Sequence, residues 1–116
     1  MIKEACCEGF TEGINAEALG ANRIELCSNL AVGGLSPSFN EVKEALKFLN
    51  IPVFVMVRPR EWNFIYTKKE KELMIQEIRN LKNIKWIYVN ILDTIFFVFY
   101  EYFFSNSIGL KYPNLL

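Results

Sequence analysis

The sequence predicts an α/β fold of about four βα units with parallel strands. Three observations point to it. Short apolar runs alternate with amphipathic helical patterns from residue 2 to residue 92, the links between them are short, and along the strands one side-chain parity is aliphatic while the other is charged or polarisable. At 116 residues the chain is less than one ordinary domain of roughly 150.

The elements follow in order. Ile2 to Cys6 reads as the first strand, and the helix after it, Glu8 to Leu19, sets Phe10, Ile14 and Ala18 on one face and stops at Gly20. Arg23 to Cys27 is the second strand. Ser36-Pro37 and Ser38-x-x-Glu41 then open a helix, the latter as a capping box, with Val42, Ala45, Leu46 and Leu49 at core-facing spacing. Pro52 to Val57 is continuously apolar, as in a strand buried on both faces. Thr67-x-x-Glu70 caps a third helix whose Met74, Ile78 and Leu81 share a face, and Trp86 to Leu92 is the fourth strand.

Two closures of such a sheet compete. Length favours an open doubly wound sheet, since a (β/α)8 barrel typically needs about 200 residues or more. Side-chain parity argues for the barrel. Residues i and i+2 of a strand share a face, so Glu4 goes with Cys6, Glu25 with Cys27, and Phe54 with Met56 and Arg58, while Ile24 and Leu26 face the helices. Charged and soft groups on one face, with Cys6, Cys27 and Arg58 at the carboxyl ends, suit a barrel interior opening to a mouth. The prediction is therefore a partial (β/α)8 barrel.

Composition narrows the function. Thirteen Lys and Arg balance thirteen Asp and Glu, which gives no electrostatic support for nucleic-acid binding or a polybasic membrane contact. With no histidine, a metal would have to use Cys, Met or carboxylate. Three cysteines make no disulfide framework and the N-terminus is not signal-like, so a cytoplasmic protein is expected. The aromatic stretch 84–104 is broken by Lys85, Asn90, Asp93 and Glu101, and no membrane span is expected there.

The run Arg23-Ile-Glu-Leu-Cys-Ser-Asn-Leu-Ala-Val-Gly-Gly-Leu-Ser-Pro-Ser38, followed by Ile51-Pro-Val-Phe-Val-Met-Val-Arg-Pro-Arg60, resembles the CutC copper-homeostasis family. The resemblance implies a cytosolic (β/α)8 barrel linked to copper tolerance, and it covers roughly residues 1–92. By motif, Glu4 and Cys6 fall on the first-strand pattern, Glu25 and Cys27 on Glu-Leu-Cys-Ser, Gly33 and Gly34 on the glycine pair, and Arg58 and Arg60 on Arg-Pro-Arg. The chain departs from the pattern where Glu61-Trp62-Asn63-Phe64 replaces Gly-Gly-Asp-Phe and where Asn90 replaces a glycine. After Asp93 the resemblance stops, which divides the chain into a barrel half, 1–92, and an aromatic-rich tail, 93–116.

Each candidate residue has a bland reading beside the chemical one. Cys6 and Cys27, taken to lie at equal heights on neighbouring strands, are the candidate ligands for Cu(I), a soft ion that favours thiolate; both are equally readable as small buried hydrophobes. Cys7 should face a helix, and Met56 should pack. Arg58 is expected to pair with Glu25 and Glu4, or to clamp a carboxylate or phosphate together with Arg60 and the backbone N–H groups of Gly33 and Gly34. Three functional readings result: copper homeostasis through a thiol site; a barrel enzyme for a small anionic metabolite, with Glu4, Glu25 and Arg58 as catalytic candidates; and an inactive truncated remnant. A half barrel would expose Phe54, Met56, Glu4, Glu25 and Arg58 along with two strand edges, so dimerisation or aggregation is expected. The tail aromatics Phe96 to Phe104 would cover an edge or drive self-association.

Overall fold

The computed structural model describes residues 1–83 and 88–90. The tail 93–116 and the flanks of the fourth predicted strand lie outside the described residues. The elements are β1 (Glu4–Glu8), α1 (Phe10–Ala18), β2 (Arg23–Cys27), a 3-10 turn at Leu30–Val32, α2 (Phe39–Phe48), β3 (Val53–Met56), α3 (Lys68–Lys82) and β4 (Tyr88–Asn90).

The described strands form one parallel sheet in the order β1-β2-β3-β4. Spatial order that follows chain order, with every neighbour parallel, is the winding of a barrel segment; a doubly wound sheet reverses its order at a switch point. The chain is thus a partial α/β barrel. Parity divides the sheet as expected. Cys7, Ile24, Leu26, Val53, Val55 and Val57 are buried in one core with Val42, Ala45 and Leu49 of the α2 segment and Met74, Ile78 and Leu81 of α3.

The register differs from the expectation in one respect that matters. β1 runs two residues later than predicted, so Cys6 stands opposite Glu25 and Cys27 stands opposite Glu8. The would-be interior is also less open than expected. Phe54, Met56 and Arg58 are buried rather than exposed; the Arg23 guanidinium lies over the Phe54 ring, 4.9 Å from its centroid.

Helix α1 has no side-chain cap of its own. Its N-cap is Gly9 at φ 87°, a conformation suited to glycine, and the Phe10 N–H donates to Glu41 of α2 at 2.9 Å. That diverts half of the box expected at Ser38. Ser38 accepts from the Glu41 N–H at 3.2 Å, but the Glu41 carboxylate serves the neighbouring helix. Thr67 and Glu70 do close a full capping box. The α1 face also differs from the prediction: Gly13 is its buried residue, whereas Ile14 and Ala18 are exposed.

Candidate thiol site on the open sheet face

Two thiols meet one carboxylate on the face away from the helices. The Cys6 Sγ lies 3.9 Å from Glu25 Oε1, and the Cys27 Sγ lies 3.6 Å from the same oxygen. Although the sulfurs are staggered rather than level, a shared acceptor keeps them within one carboxylate's reach. Burial separates them, because Cys6 is exposed whereas Cys27 is 1% exposed. Burial, the Glu25 charge and its hydrogen bond push the Cys27 thiol up to about 12. Cys6 is raised too, first by desolvation and then by the charges of Glu25 and Glu4. Cys7 lies on the helix side, buried at 2%, with its Sγ 3.6 Å from the Ala5 carbonyl.

The donor set fits a soft monovalent ion in character, being two thiols with no imidazole. Among the described residues no group of three or more Cys, Asp or Glu side chains is arranged to hold a metal ion. A site here is therefore a two-thiol site.

The other candidates are placed differently from the expectation. Glu4 pairs with Arg23, its neighbour across the β1–β2 register, and not with Arg58. Arg58 is 5% exposed, and its fork holds backbone carbonyls: Nη1 donates to Val32 O at 2.8 Å and Gly34 O at 3.0 Å, and Nη2 donates to Trp62 O at 3.2 Å. The Phe64 ring lies against the guanidinium, 5.0 Å away. Arg60 is taken up by Glu70 at 2.6 Å and by the carbonyls of Glu61, Asn63 and Ile65. The N–H groups of Gly33 and Gly34 donate to Leu30 O at 2.9 Å and Asn29 O at 3.2 Å. Arg58, Arg60, Gly33 and Gly34 thus fix the loops around them through these hydrogen bonds. A buried guanidinium needs acceptors, and here the carbonyls of Val32, Gly34 and Trp62 occupy Nη1 and Nη2, while Nε is buried without a partner among the described residues.

Ser36, read from sequence only as part of a helix entry, proves to be the knot between β2's loop and β3. Its Oγ accepts from the Arg58 N–H at 2.9 Å and faces Arg58 O and Glu77 Oε2 at 3.2 and 3.3 Å, while its N–H donates to Arg58 O at 3.0 Å. Burial raises the Glu77 carboxyl above its ordinary range. Ser-Pro-Ser marks a helix entry and carries no signal of these contacts, which join segments 22 and 41 residues apart. On the outer side, a groove of about 310 Å³ between α2 and α3 is lined by Phe39, Leu73, Glu77 and Leu81 among others, and it lies on the helix face rather than at the thiols.

The loop after β3 carries the substitution seen in the sequence. Trp62 has φ 83°, a left-handed conformation at a position where the resembled pattern has glycine, and its ring is 81% exposed. Holding an L-residue there costs about 1–2 kcal/mol, partly offset by glycine's greater entropy when unfolded. Trp62→Gly should accordingly stabilise the fold by about 1 kcal/mol in urea denaturation; a loss of stability would show that the indole contributes packing.

Comparison with known proteins agrees with the architecture. Residues 1–93 match the CutC family. A CutC family protein of Enterococcus faecalis is 44% identical over 87 residues, which cover 72% of this chain and 42% of that protein. A human protein named copper homeostasis protein cutC homolog is 43% identical over 82 residues, covering 71% of this chain and 30% of its own. The crystal structure of the Streptococcus agalactiae CutC protein superimposes with a TM-score of 0.79 at 33% identity, covering 96% of this chain and 57% of that one. The chain spans less than half the length of these two curated relatives.

Proposed function

The chain belongs to the CutC family, and from that premise we propose that it takes part in copper homeostasis in the cytoplasm by holding Cu(I) between Cys6 and Cys27. The observation that carries the reading is the shared Glu25 oxygen, which gathers two soft donors from adjacent strands on the face away from the helices. Copper here is cargo, and burial first, then the Glu25 charge, favour the protonated thiols until the ion displaces the protons. The enzyme reading has less support, because Nη1 and Nη2 of Arg58 already donate to Val32, Gly34 and Trp62.

Two protons must leave, so the apparent affinity should rise about 100-fold per pH unit between roughly pH 6 and 8, a range below both raised thiol pKa values. Glu25→Gln should tighten binding at fixed pH, since it removes the charge that favours the neutral thiols. Anaerobic titration against a Cu(I) chelator measures both effects, and equal affinity in wild type and Cys6→Ser/Cys27→Ser would refute the proposal.

Association with a second copy is part of the same reading. β1 and β4 are the edges of the described sheet, and unpaired strand edges recruit other strands. Light scattering at low micromolar concentration with reduced thiols should show dimers or larger species; a monodisperse 13.5 kDa monomer would exclude this.

A further inference from the structure

One face of Cys27 is closed by backbone. A Cβ placed on Gly34 would lie 3.2 Å from the Cys27 Sγ and 3.3 Å from its Cβ, so the Gly34 backbone rests directly on the thiol. The loop that brings Gly34 there leaves β2 at Ser28 and returns at Leu35, where the two residues exchange backbone hydrogen bonds of 2.8 and 2.7 Å. That bridge anchors the base of the loop. The tip has a different fastening: one Arg58 nitrogen, Nη1, reaches both Val32 O and Gly34 O, and Gly33 lies so close that a Cβ there would stand 3.2 Å from the same nitrogen. Gly33 and Gly34 both have positive φ, 94° and 92°, which turns the tip over Cys27.

We propose that residues 30–34 form a lid over the Cys27 thiol and that Arg58 is its latch, so that a soft metal ion or thiol reagent reaches Cys27 only when this loop opens locally. The mention of metal rests on the function proposed above, whereas the lid and latch rest on geometry alone. Arg58 acts on Cys27 through the loop and is a positioning residue. Local opening of this kind proceeds without global unfolding when a few hydrogen bonds hold a surface segment.

Native-state alkylation in a Cys6→Ser background tests it, with Cys27 and Cys7 followed separately by mass spectrometry. Cys7 reports global opening, because it is buried in the core on the other side of the sheet. In Arg58→Lys the ammonium keeps the charge and loses the fork, and the rate of Cys27 relative to Cys7 should rise about tenfold, the Cys7 rate correcting for any loss of global stability. Gly34→Ala pushes the lid from beneath and should do the same. Gly20→Ala is the matched control: φ is +97° and nothing lies within 4 Å of the added Cβ, so it imposes comparable strain without touching Cys27. Unchanged Cys27 labelling in both variants, or acceleration of Cys27 and Cys7 in step, overturns the latch. If labelling accelerates but Cys6→Ser/Cys27→Ser leaves Cu(I) affinity unchanged, the lid stands and the copper reading falls.

Discussion

Arg58→Ala should cost roughly 3–5 kcal/mol in urea denaturation, a large part of the 5–15 kcal/mol that holds an ordinary domain. The substitution strips donors from three carbonyls at once, those of Val32, Gly34 and Trp62, and removes the cation stacked on Phe64. Each charge-assisted hydrogen bond contributes about 1.5–3 kcal/mol, and a buried acceptor left without a donor adds its own desolvation cost. Ser36 softens the loss, because its bonds run to the Arg58 main chain and survive truncation. Arg58→Lys should fall between wild type and Arg58→Ala, since one ammonium cannot span both the loop tip and Trp62. A loss under about 1 kcal/mol for the alanine variant would mean that the loop holds its shape without the guanidinium.

Gly13→Leu should destabilise by about 3 kcal/mol, at the upper end of the overpacking range. α1 rests on the sheet through this glycine: a Cβ there would stand 2.9 Å from Ile24 Cδ1 and 3.1 Å from Leu49 Cδ1, and both partners are buried. Gly13→Ala should be close to neutral. The gain in helix propensity of about 1 kcal/mol offsets a contact made with the ends of two side chains that can turn aside. Leucine has no such exit, because it must either displace Ile24 or lift the helix off β2. Thermal unfolding of the pair decides; equal stability for the leucine and alanine variants would show that α1 has room to shift.

How far the sequence can be read depends on whether the decisive interaction is local. The faces of β2 were legible, since alternation is a property of one strand, and Ile24 and Leu26 are fully buried where the pattern put them. The stripes of α2 and α3 were legible for the same reason, as was the Thr67–Glu70 box, which closes within four residues. The stripe of α1 was legible only in part: Phe10 packs against the core where the spacing puts it, but Ile14 and Ala18 are exposed and the closest approach to the sheet is through Gly13, the helix's smallest residue. Glu41 was assigned to its own cap because nothing in the sequence reveals that Phe10 of another helix lies within 2.9 Å.

The site divides along the same line. By itself the sequence determined the parallel α/β architecture, the family, and the set of side chains on the open face, because periodicity and motif are written in the order of residues. Only the tertiary structure decided that Cys6 stands across from Glu25 rather than level with Cys27, that Glu4 takes Arg23, and that Arg58 holds a glycine loop over a buried thiol. Register depends on how strands slide against one another, and a guanidinium's partners depend on where distant carbonyls point; both are fixed by packing between segments far apart in the chain, where no single-strand pattern reaches.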